Sequence, residues 1–149
     1  MLTKKGKYGL KALVHLSGLP AGQLAFVNDI ASANHIPKKF LDAILGELRN
    51  AGFVQSRKGK GGGYRLARPA SEIRIGHVIR VLDGPLAPIP CASQTQYQRC
   101  EDCDEAVCQV RHMMLEVRHA IAEVLDNRSL AALRDADNDD YPLELASHL

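Results

Sequence analysis

The feature that most narrows what this chain can fold into is a succession between residues 37 and 66: a helical pattern that opens on a proline and closes on a glycine, then two short strand-like runs around a basic glycine loop. Pro37 suits the first position of a helix, where its missing N–H leaves no bond unmade. From there Phe40 or Leu41, Ile44, Leu45 and Leu48 recur at three- and four-residue intervals, the period of one buried helix face. The register of Phe40 with Ile44 favours a core position for its ring. Gly52 provides the left-handed residue that commonly ends a helix. Phe53 to Arg57 and Gly63 to Leu66 then read as antiparallel strands joined by Lys58-Gly59-Lys60-Gly61-Gly62.

Upstream, Leu10, Leu13 and Val14 predict a first helix from about Lys7 to Ser17. Gly18 to Gly22 is a turn, and Val27 to Asn34 forms a second helix with Ile30 and Ala31 inward. His35-Ile36 is a tight connection to Pro37. Paired helices followed by a basic ribbon give the order of a winged helix-turn-helix, a mainly α fold with a small β-wing. In such folds the second helix of the pair offers its N-terminal residues to base edges in the major groove. Here these are Pro37, Lys38, Lys39 and Phe40. The lysines suit phosphates or a guanine edge, and Phe40, if it is not core, suits a thymine methyl. In the wing, Arg57, Lys58 and Lys60 surround glycines that let the backbone approach the sugar-phosphate wall. A nucleotide-binding P-loop would need a preceding strand and a Ser/Thr-opened helix after it, and a strand follows instead.

Charge supports a polyanionic partner. Residues 1–68 carry 12 Lys and Arg against three acids, whereas residues 69–149 carry seven against 14, so the net +2 conceals opposed halves. A half this basic attracts DNA through phosphate neutralisation and counterion release. No apolar run approaches the 18 or more residues of a membrane span, and the N-terminus lacks the features of a secretory signal, so a cytoplasmic, membrane-free protein is expected. No Ser/His/Asp or paired-carboxylate arrangement stands out, so the chain is read as no enzyme. His15 and His77 sit on helix faces, and His119 and His148 have no cysteine near them.

Ile75 to Leu82 reads as a short helix broken by Asp83-Gly84-Pro85, and Pro88 and Pro90 keep the chain extended beyond it. All four cysteines, Cys91, Cys100, Cys103 and Cys108, fall within 18 residues, which in a reducing compartment suggests a metal or redox site. Four thiolates suit an iron–sulfur cluster of two or four irons. Zinc is the rival, because Cys-x2-Cys is a common half-site; a reversible disulfide with no metal is the third reading, with Arg99 and Arg111 nearby. A long helix from about Glu105 to Leu125 places Val107, Val110, Met114, Val117, Ile121 and Val124 in a heptad-like seam suited to a second copy of the chain. The expected organisation is a DNA-binding domain over 1–84, a cysteine-containing sensor loop over 85–108, a dimerisation helix and short terminal helix over 105–134, and an acidic tail over 135–149.

Thr3-Lys4-Lys5-Gly6-Lys7-Tyr8, Asp29-Ile30-Ala31, Pro37 to Leu48, Gly59 to Leu66, and Val78 to Leu86 with its Leu-Asp-Gly-Pro segment, followed by cysteines before a long helix, together resemble one family. It is the bacterial winged-helix transcription regulators that include the iron–sulfur cluster regulator, the nitric-oxide-sensitive repressor and the cysteine-metabolism repressor. The likeness covers about residues 1–134. It implies a homodimeric regulator, more often a repressor, on palindromic double-stranded promoter DNA, with a loop cluster setting affinity in many members. In others, thiol chemistry or a partner enzyme does so, and RNA polymerase is a further implied partner. By this resemblance the reader positions are Pro37, Lys38, Lys39, Phe40 and Ala43, the wing positions Arg57, Lys58, Gly59 and Lys60, and the backbone clamp Thr3, Lys4 and Tyr8. The loop departs from the family pattern. Cys91 and Cys108 match the flanking ligands, while Cys100, Cys103 or both fill the middle. Tyr8 stands where some relatives carry an acidic ligand, and His112 lies one residue from a histidine ligand used by others.

Overall fold

Thr3 starts the first helix. Its hydroxyl accepts a hydrogen bond from the Gly6 N–H at 3.4 Å, so α1 spans Lys4–Ser17 rather than beginning near Lys7. The earlier start escapes periodicity because Lys4-Lys5-Gly6 carries no apolar side chain. In this computed structural model, which describes residues 2–136, there follow α2 (Val27–Asn34), α3 (Lys38–Asn50), β1 (Val54–Arg57), β2 (Gly63–Leu66), α4 (Ile75–Asp83), α5 (Gln109–Asn127) and α6 (Leu130–Asp135). The described residues are thus mainly helical with one two-stranded antiparallel sheet, the expected fold class.

The two helices of the pair are joined by a sharp bend at His35, whose backbone is left-handed at φ 54°. Such a conformation costs a non-glycine residue roughly 1–2 kcal/mol. It is held by Ile36, which is buried and whose N–H bonds Ala31 O at 3.0 Å. Pro37 caps α3 from just outside rather than occupying its first turn. Leu41, Ile44, Leu45 and Leu48 form the buried face. Phe40 does not join them, contrary to its expected core position: it is 43% exposed. Leu41 holds the place in phase with Ile44, Leu45 and Leu48, which leaves Phe40 turned outward against Tyr8, ring edge to face at 5.8 Å. Gly52, at φ 82°, ends the helix, and the Phe53 N–H returns to Leu48 O at 2.9 Å.

The hairpin pairs Val54 with Leu66 and Arg57 with Gly63. Its second strand, β2, is fastened on the side away from β1 to the segment before α2. The Tyr64 N–H donates to Ala25 O at 2.8 Å, and Tyr64 O accepts from the Ala25 N–H at 2.9 Å. Gly63 makes this approach feasible. It has φ 133°, and a Cβ there would overlap the Ala25 carbonyl. Beneath the hairpin lies one core in which Leu13, Ile30, Leu41, Leu45, Leu48, Ile73, Val78 and Leu130 are fully buried.

Helix α5 begins at Gln109, later than the expected Glu105, because Cys108 caps it: its Sγ accepts from the Arg111 N–H at 3.4 Å. Val107 therefore precedes the helix. The expected apolar seam divides between two faces. Ile121 and Leu125 pack on the chain's own core, and Met114 is half-buried. Val110, Met113, Val117, Ala120 and Val124 are exposed, so Met113 and Ala120 complete a three–four stripe with the three valines. No helix among the described residues is long and apolar enough to cross a membrane. The expected acidic tail lies, from residue 137 on, outside the described residues.

Replacing Gly63 with Ala should lower stability by about 2 kcal/mol or more, since both the backbone conformation and the Ala25 contact are lost. Urea unfolding measures it, and a loss below about 0.5 kcal/mol, the range of an ordinary surface change, contradicts the fastening.

Candidate nucleic-acid interface and cysteine loop

Every proposed reader residue is solvent-exposed: Pro37 at the cap of α3, and Lys38, Lys39, Phe40 and Ala43 on its N-terminal half. Lys38 leans along the helix to Asp42 at 3.1 Å, an exposed i,i+4 pair that is easily exchanged for another anion. Tyr8, from α1, supports Phe40 and keeps its ring at the surface. Among the described residues Lys39 is in no ion pair, and α3 has no acidic residue in its first turn. The positive end of the helix dipole and the two lysines thus add at one place.

The wing tip is equally open. Arg57, Lys58, Gly59 and Lys60 are all exposed, and Gly59 and Gly61 take φ 94° and 76°. The Gly62 N–H closes the turn on Gly59 O at 3.0 Å, and a Cβ on Gly62 would overlap Arg57 O. The glycines are required by the turn as well as by any close approach to DNA. On β2, Arg65 bonds Gln55 across the strands.

The N-terminal clamp is arranged differently from expectation. Lys4 is exposed, but both donors of Thr3 are engaged by Asp83, the N–H at 2.9 Å and the hydroxyl at 2.5 Å. Lys5 pairs with Glu47 on α3 at 2.7 Å. Asp83 reads in the sequence only as the end of a helix before Gly84-Pro85; nothing local signals that its carboxylate crosses to α1.

The cysteine loop brings three of its thiols together. The neighbouring thiols of Cys100 and Cys108 push the Cys103 thiol up to about 12. Cys108, at the start of α5, is held below the usual thiol range, first by the Arg111 N–H and then by Cys103. Cys91 stands apart. It is buried in a short 3-10 turn (Pro90–Ala92), with its carbonyl bonded by Arg111 Nε at 3.0 Å, and shares with Cys100 a hollow of about 380 Å³. His112 is exposed in the first turn of α5.

Glu105 organises this loop, a role that its place in an acidic run did not reveal. It accepts from the Tyr97 hydroxyl and from the Cys100 N–H at 2.7 Å, and lies 4.0 Å from Arg111 Nε. These bonds hold its carboxyl below the ordinary range, Tyr97 first, and raise the Tyr97 phenol. The donor set suits a thiophilic metal or cluster in residue type. In geometry, no three or more Cys, His, Asp or Glu among the described residues are placed to hold a metal ion.

Comparisons with known proteins agree with this layout. Residues 2–136 match the model of the Rrf2 family, described as an iron-dependent transcriptional regulator. A Rhodobacter capsulatus HTH-type transcriptional regulator described as rrf2-like is 39% identical over 142 residues, which is 93% of this chain and 95% of that one. The structure of CymR, the global cysteine regulator of B. subtilis, superposes with a TM-score of 0.76 at 32% identity, covering 92% of this chain and 98% of that one. T. potens IscR gives 0.72 at 28%, covering 93% and 90%.

Replacing Glu105 with Ala should free the segment between Tyr97 and Arg111. Tryptic cleavage after Arg99 in the metal-free protein is expected to accelerate several-fold, since opening of local structure controls such cleavage. An unchanged rate would show that Glu105 does not hold the loop.

Proposed function

The chain belongs to the Rrf2 family of transcriptional regulators, and on that footing we propose that it is a homodimeric promoter-binding repressor whose hold on DNA follows the state of its cysteine loop. DNA-binding regulation, without enzyme activity, is what the family does. The observation that carries the finer reading is the exposure, on a rigid frame, of a basic helix start and a basic glycine wing.

In this reading the N-terminal residues of α3 enter the major groove. Lys38 and Lys39 take phosphates or a guanine edge, and Phe40, steadied by Tyr8, meets a thymine methyl. Arg57, Lys58 and Lys60 follow the backbone or a narrow minor groove at the wing. The partner is a second copy, joined through the α5 stripe of Val110, Met113, Val117, Ala120 and Val124, whose exposed valines and methionine sit at the spacing of a helix–helix seam. Two heads so joined stand about one helical turn of DNA apart, near 34 Å, so a small rotation at the seam alters half-site fit.

Cys91, Cys100, Cys103 and Cys108 would hold an iron–sulfur cluster, whose gain, loss or oxidation supplies the signal when it is bound. The family description as iron-dependent supports this choice. The chain's own part is mechanical: Arg111 ties Cys91 to α5, and Arg118 ties Ala92 to α5 at 3.1 Å, so reordering the loop pulls on the seam helix. The contacts of Cys103 with Cys100 and Cys108 favour a second reading, reversible thiol oxidation with zinc or no metal.

Replacing Lys58 with Ala should weaken binding to duplex DNA of any sequence and lower the magnitude of the salt slope by about 0.9. An unaltered slope removes the wing from the interface. Protein purified without oxygen should be coloured and contain iron and sulfide, sediment as a dimer, and bind its promoter with an affinity different from that of the cluster-free form. Equal affinities in the two states would end the sensor reading, and one zinc per chain in a colourless protein would favour the second.

A further inference from the structure

Helix α4 carries two ionic side chains one turn apart, and each is tied to a different helix. Arg80 forks onto Asp126 of α5, Nη1 to Oδ1 at 2.6 Å and Nη2 to Oδ2 at 2.8 Å. Asp83 reaches the first turn of α1, where it accepts from the N–H and the hydroxyl of Thr3. The same Thr3 oxygen then accepts from the Gly6 N–H, so the cap of α1 is itself backed by a carboxylate. Each carboxylate lies over a glycine. A Cβ on Gly6 would overlap Asp83 Oδ2, and one on Gly76 would overlap Asp126 Oδ1. Two glycines in the first turns of helices are thus explained by the acids seated on them.

We propose that Asp83 is a positioning residue for DNA binding. By holding both donors of Thr3 it fixes the first turn of α1 and aims Lys4 and Tyr8 at the sugar-phosphate backbone, while Arg80 and Asp126 fix α4 against the long helix. The inference rests on the DNA interface proposed above. Thr3 then anchors the clamp without touching phosphate, since its hydroxyl and N–H are both taken by Asp83. Charge gives the proposal a distinctive sign. A carboxylate beside a DNA-binding face repels phosphate, so removing its charge would strengthen binding if proximity were its only effect. A positioning carboxylate gives the opposite result.

The test uses the full-length protein and a labelled duplex of mixed sequence, since backbone contacts are independent of sequence. Asp83→Asn and Thr3→Ala should each weaken binding, on the order of ten-fold, and reduce the magnitude of the salt slope by about 0.9. Thr3→Ser, which keeps the hydroxyl, should bind as the parent does. The double variant should be no worse than either single one, as for two residues acting through one contact. Unchanged or tighter binding by Asp83→Asn overturns the proposal if Lys58→Ala still weakens binding. Unchanged binding by Lys58→Ala as well removes the interface on which the proposal rests. Should Asp83→Asn fail to fold, judged by its thermal transition, Thr3→Ala and Thr3→Ser decide alone: equal affinities for these two would overturn it.

Discussion

The close crossing of α1 over α4 is the contact on which the remaining architecture is built. Gly9 lies beneath Leu82, where a Cβ would overlap the leucine methyl, and Gly6 lies beneath Asp83. With the two backbones this near, Ala12, Leu13 and Leu16 are buried in the common core with Val78 and Ile79. From that seat α1 meets α2, α3, β2 and α6 as well. Everything offered to DNA is mounted on this frame: Tyr8 props Phe40, Lys5 holds Glu47 of α3, and the segment after α1 hooks the wing through Ala25. Interiors packed to crystal-like density deform little, so reader and wing keep a fixed relation.

Much of this is legible in the sequence, because it follows from local rules. Proline before α3, glycine after it and a glycine ribbon between β-prone runs each have one inexpensive backbone solution. The bounds of α2 and β2 follow as read. What escapes is whatever depends on a distant partner. Phe40 and Leu41 both fit a three–four pattern, and only the packed helix turns the leucine inward. On α5, Met113 and Met114 are adjacent and equally apolar. The domain takes Ile121 and Leu125 for its own core, and that choice fixes which methionine is left outside. The Asp83–Thr3 bond spans 80 residues, beyond any periodicity.

The cysteine loop is legible in chemistry but not in shape. Four soft donors in a short polar segment identify the kind of site, whereas the grouping of Cys100, Cys103 and Cys108 away from Cys91 is set by other side chains. Glu105 and Arg111 do most of this, one by closing the loop on Tyr97 and Cys100, the other by joining Cys91 to the start of α5. A run of acids reads as solvated surface; one of them instead carries the local hydrogen-bond network.

The end of the described chain is stitched into its beginning. Leu130 is fully buried, its N–H bonds Ile73 O at 2.8 Å, and Arg134 Nη1 reaches Ser17 O at 3.0 Å. During synthesis, therefore, the core lacks its Leu130 side chain and the bond to Ile73 until residue 130 has left the ribosome. The cysteine segment precedes Leu130 in the chain, so its thiols leave the ribosome before the last buried residue of the core does.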